Sequence, residues 1–156
     1  MKIDGIYSLF SLMTILEKLC ERKENNYFLF RGSEGTMNKT KCERGISGFN
    51  FKLIYDASCN EDIWGWIGVY YNREKPEIWM GFSNDWGKKY IDMLDYNSLS
   101  SGQTFEKPFF ENNTLWFKLN EKQMEIFENA IKVEDQEIIL KNFMDEVINY
   151  PFNKKA

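Results

Sequence analysis

Arg31 stands where an aromatic run, Tyr27-Phe28-Leu29-Phe30, gives way to the polar Gly32-Ser33-Glu34-Gly35-Thr36. A guanidinium at a strand end can grip a phosphate or carboxylate through its planar fork, and Ser33 beside it could add a hydroxyl. The loop from Gly32 to Gly45 distantly echoes a phosphate-binding loop around Asn38-Lys39-Thr40. Its spacing is wrong, Asn38 stands where a glycine is required before the lysine, and no apolar helix follows. A structural ion pair is the plainer use of Arg31.

Carboxylates are the other reactive groups. Asp92 and Asp95 are three apart on an expected helix and so share a face, Asp85 precedes Trp86, and Glu61-Asp62 abuts an apolar strand. Paired carboxylates can hold a hard cation or move protons. A nuclease site would also want a lysine on a nearby strand, whereas Glu21-Arg22-Lys23 and Glu121-Lys122 fall on helix surfaces. Solvated surface charge accounts for these groups. No catalytic residue, metal-ligand set or cofactor is assigned.

Two further sets suit binding. Lys88-Lys89 lies between Trp86 and Tyr90, the one basic and aromatic patch, and could stack a base while holding a phosphate. The same Trp86 and Tyr90 could anchor a protein partner, since aromatic side chains dominate interface hot spots. Glu134, Asp135 and Glu137, continued by Asp145 and Glu146, form an acidic helix face. Ordinary capping and solvation explain it, and docking into a basic groove is the sharper reading.

The chain contains no histidine among its 156 residues. That removes Ser-His-Asp and Cys-His hydrolysis, histidine metal sites and phosphorelay chemistry. Cys20, Cys42 and Cys59 are far apart and form no C-x-x-C, so neither a zinc ribbon nor a thioredoxin-like site is indicated. Hydrophobic residues make up 43 % and aromatics 17 %, a globular composition. The net charge of −4 disfavours a nucleic-acid binder. No secretory signal follows Met1-Lys2, and no run approaches the roughly 18 apolar residues of a membrane span. The expected setting is a reducing cytoplasm, where Asn38-Lys39-Thr40 and Asn112-Asn113-Thr114 are chance matches to a glycosylation pattern.

These groups must be positioned by few elements. Residues 63–82 read as two aromatic strands around the polar loop Asn72-Arg73-Glu74-Lys75-Pro76. The first strand is apolar on both faces and belongs in the middle of a sheet. Strands are also expected at 27–31, 48–55 and 114–119, with residues 95–108 crossing the surface. Leu9, Leu12, Met13, Leu16, Leu19 and Cys20 give residues 6–24 a helical stripe. Ser83-Asn84-Asp85 could cap a short helix at 86–94 with Tyr90, Ile91 and Leu94 inward. A helix opens at Asn120, with Met124, Phe127, Ala130 and Ile131 on its apolar side. A last helix runs over 134–149, with Leu140, Phe143, Met144 and Val147 inward, and Pro151 ends it before the tail at 152–156.

The expected architecture is α+β in one domain over residues 1–156. A mainly antiparallel sheet of about five strands carries an N-terminal helix and two C-terminal helices. The function expected from these residues is that of a non-enzymatic acidic module that binds another protein with a basic surface. A concrete form is an inhibitor or immunity-type protein of bacterial or phage origin that occludes a nucleic-acid-handling enzyme. The contacts would be Trp86, Tyr90 and the carboxylates of Glu134, Asp135, Glu137, Asp145 and Glu146. The alternative is a small-molecule or nucleotide-acting domain using Arg31, Ser33, Asp85 and Asp92, with a pocket between the 63–82 hairpin and the loop from Gly32 to Gly45.

Overall fold

A computed structural model of the chain describes residues 28–31, 46–54, 63–70 and 75–152. Six strands form one antiparallel sheet: β1 (Phe28–Arg31), β2 (Ile46–Ile54), β3 (Ile63–Tyr70), β4 (Glu77–Ser83), β5 (Phe109–Glu111) and β6 (Thr114–Lys118). Their order is β1-β2-β3-β4-β6-β5. The architecture is α+β, as the short gaps between successive strand patterns indicated. The 63–82 segment supplies the two middle strands, in the register Trp66↔Gly81, Ile67↔Met80 and Gly68↔Trp79.

β5 is an element the periodicity did not announce. Three residues are too few to show alternation, yet Asn112 and Asn113 close them onto β6 in a two-residue turn with φ of 52° and 62°. Asparagine tolerates this left-handed backbone, which matches the twist of a tight hairpin. Asn84 binds the turn from the side, its amide nitrogen donating to the Asn113 side-chain oxygen at 2.6 Å.

Three helices follow or interrupt the sheet: α1 (Lys88–Asp92), α2 (Glu121–Asn129) and α3 (Val133–Asn149). All three contribute to one core on one sheet face, where Ile67, Val69, Met80, Phe82 and Phe117 meet Tyr90, Phe127, Leu140 and Phe143. The Tyr90 ring stacks on Phe82 at 3.8 Å, and its hydroxyl donates to the Val147 carbonyl of α3. Alternation along the strands sends Trp66, Trp79 and Trp116 to the opposite face, where they meet at 5.4–5.7 Å. Gly81 lets Trp116 lie close, since a Cβ there would come within 2.5 Å of the indole.

Two boundaries differ from the helical periodicity. α1 starts at Lys88 with Gly87 at its cap position, and Ser83 instead accepts from the Trp86 N–H at 3.1 Å. α2 stops at Asn129, with Ala130 already extended, so Ile131 leaves the apolar stripe for solvent. The expected helix at 6–24, the loop from Gly32 to Gly45, the tail beyond Phe152 and the three cysteines lie outside the described residues. No helix among the described residues is long and apolar enough to cross a membrane.

Candidate protein interface

α2 begins because Asn120 caps it. Its side-chain oxygen accepts from the Gln123 N–H at 2.9 Å, filling one of the orphan donors of the first turn. Met124 and Phe127, three apart, bury one face, while Glu125, Ile126 and Glu128 stay exposed. The chain turns at 130–132 and re-enters helix at Val133, with no side-chain cap at Lys132. Glu134 and Asp135 instead place negative charge at the positive end of the α3 dipole. Gln136 ties the corner, its amide nitrogen donating to the Phe127 carbonyl at 3.0 Å.

This corner is apolar and acidic together. Ile131 is 98 % exposed, and Ile126, Val133 and Ile138 are exposed beside it in sequence. These are four of the eight exposed large hydrophobic side chains among the described residues. Ile138 follows Glu134 and Asp135 by four and three residues, so the three share the outer face of α3. Residues 121–149 carry eight carboxylates against three lysines, a net −5, while the other 127 residues carry 16 acidic and 17 basic side chains. The acidity of the whole chain is therefore the acidity of this helical pair.

The structure separates the expected contacts. Trp86 is 71 % exposed, held on a turn whose carbonyl accepts from the Trp64 N–H at 3.0 Å. Tyr90 is fully buried, because α1 turns it onto Phe82 and under α3, so it offers no surface to a partner. Glu137 is also buried, on the inner side of α3, and leaves the acidic face. Asp145 pairs with Lys141 at 3.1 Å. Glu146 turns inward to the loop before β5, accepting from the Thr104 hydroxyl at 2.6 Å and from the Gln103 and Thr104 N–H groups. Of the expected acidic contacts, Glu134 and Asp135 stay exposed at the corner.

Two of the ligand-site residues, Asp85 and Asp92, have described side chains. Asp85 is exposed, and Asp92 pairs with Lys88 at 3.1 Å. Asp95 lies beyond the end of α1 rather than on a face shared with Asp92; it caps a 3-10 turn instead, accepting from the Asn97 N–H at 3.0 Å and the Ser98 hydroxyl at 2.8 Å. Those two donors hold its carboxyl below the usual carboxylate range. Arg31 ends β1, and Ser33 lies outside the described residues. The basic and aromatic patch is reduced likewise, since Tyr90 is in the core and Lys88 is engaged by Asp92. Among the described residues no group of three histidine, cysteine or acidic side chains could hold a metal ion.

Ile131 and its exposed neighbours were missed as a site because the helical period was carried past Asn129. Glu134-Asp135 was the available signal: acids cluster at a helix start, which requires a break just before them. Comparisons with family models, with curated proteins and with solved structures return no match.

Proposed function

We propose that the protein acts by binding another protein through the α2–α3 corner. Its partner presents lysine and arginine side chains around an apolar patch. The observation that carries this reading is Ile131, a β-branched hydrophobe almost wholly in solvent, followed by the exposed carboxylates of Glu134 and Asp135. Exposed apolar clusters rimmed by charge favour association, the apolar part through burial and the charges through steering and orientation. Basic surfaces of this kind line the grooves of enzymes that handle nucleic acid, so occlusion of such a groove is the mechanism that fits best. Trp86 is a second anchor, presented on a hydrogen-bonded turn at the loop end of β4.

The test compares capture by two baits in nuclease-treated native lysate. Wild-type protein is expected to retain one stoichiometric protein partner, and the triple variant Ile131→Asp, Glu134→Lys, Asp135→Lys to lose it. Equal retention by both baits, or recovery of nucleic acid alone, rejects the reading.

A further inference from the structure

α3 ends at a cleft. The 3-10 turn Tyr150–Phe152 faces the segment 93–105 across a cavity of about 910 Å³, within the ordinary size range of ligand pockets. Met93, Leu94, Phe105 and Pro151 give it an apolar lining. Among the described residues its charged groups are the carboxylates of Asp95 and Glu146, and no lysine or arginine lines it. The C-terminal end of the 17-residue α3, the negative end of its dipole, lies beside the same space, since Glu146, Tyr150 and Pro151 all line it.

The cleft is preformed. Tyr150 pins one wall, its hydroxyl accepting from the Ser100 N–H at 2.9 Å and donating to the Ser100 carbonyl at 3.3 Å. Glu146 pins the next stretch through Gln103 and Thr104, and Asn120 donates to the Gln103 carbonyl at 2.9 Å. A wall fixed before binding spares a ligand the cost of ordering it. Asp95, exposed at the mouth, keeps a charged carboxylate at neutral pH.

An anion meets two carboxylates and a helix C-terminus here and is repelled. A pure hydrocarbon makes no use of the acceptor capacity left on Asp95, which gives two of its roughly four lone-pair sites to Asn97 and Ser98. We propose that this cleft binds an organic cation on an apolar stem, an alkylammonium or guanidinium group, with the cation near Asp95 and the stem along Met93, Leu94 and Phe105. The Tyr150 and Phe105 rings, edge-to-face at 5.5 Å, suit both the stem and the charge.

The isolated protein serves for the test, so its outcome is independent of the partner proposed above. Backbone NMR and calorimetry are run with spermidine, with N-acetylargininamide, and with a neutral diol of similar length. The expected result is saturable binding of a cation that shifts residues 95–103 and 146–151. Tighter binding of spermidine identifies a free polyamine as the source, and tighter binding of the arginine derivative identifies a protein side chain. Asp95→Asn keeps an oxygen to accept from Asn97 and is expected to fold normally while binding the cation about tenfold more weakly, the scale of one charge-assisted hydrogen bond. Absence of saturation, equal binding of the diol, or shifts centred on Glu134 and Asp135 overturns the proposal.

Discussion

At Gly65 a Cβ would stand 2.4 Å from the Phe51 ring and 2.9 Å from Phe82, so the site under β3 has no spare volume. Gly65→Ala is expected to cost about 1–3 kcal/mol as those rings move, read as a lower urea midpoint with an unchanged slope. Tyr90→Phe keeps the ring stacked on Phe82 and removes the hydroxyl's bond to the Val147 carbonyl, which retains the Tyr150 N–H as a donor; a loss of about 1 kcal/mol is expected in the same assay. Asp95 behaves differently because it is exposed. Its carboxyl lies below 3.8 through the donors Ser98 and Asn97, so its capping contribution is present above that pH and is lost as pH falls through the lowered value. The stability difference between wild type and Asp95→Ala is therefore expected to shrink on acidification below about pH 4. At this scale the inward side chains were largely legible, because Tyr90 with Ile91, and Leu140 with Phe143, Met144 and Val147, repeat at helical steps. Burial of Glu137 was not, since its position within the acidic first turns of α3 hides that it faces inward.

Among the elements, the middle strands were read from the density of Tyr, Trp, Ile and Val, and β3 and β4 are buried along nearly all of their eight and seven residues. β5 escaped because it is three residues long, although Asn112-Asn113 between Phe109-Phe110-Glu111 and Thr114-Leu115-Trp116 carries the signature of a two-residue hairpin. The turn makes that claim testable: Asn112→Gly is expected to leave thermal stability unchanged or slightly raised, while Asn112→Val lowers it by about 1–2 kcal/mol, a β-branched residue being strained at φ 52°. The segment 95–108 was expected to cross the surface as a polar excursion. Residues 95–98 are exposed, but Phe105 enters the core, and Glu146 of α3 and Tyr150 just beyond it hold the segment through hydrogen bonds. Glu146→Ala removes three accepted hydrogen bonds and is expected to cost about 2 kcal/mol, with hydrogen exchange at Gln103 and Thr104 rising more than at Phe117. Sequence spacing could not show this, for Glu146 and Thr104 are 42 residues apart.

For the whole molecule, the separation of charge is the feature with the widest consequence. The helical pair carries a net −5 and the rest of the chain is close to neutral, so under the proposed function a basic partner is drawn to this pair. Association is therefore expected to slow as salt rises, while Ile131→Asn leaves folding stability within about 0.5 kcal/mol, since an almost fully exposed side chain contributes little to the core. The most direct measurement is photo-crosslinking in the native cell from a reactive residue placed at position 131, compared with one at position 112 in the β5–β6 turn. The account predicts a single protein adduct from position 131 and none from position 112. No adduct from position 131, or the same adduct from both, contradicts it.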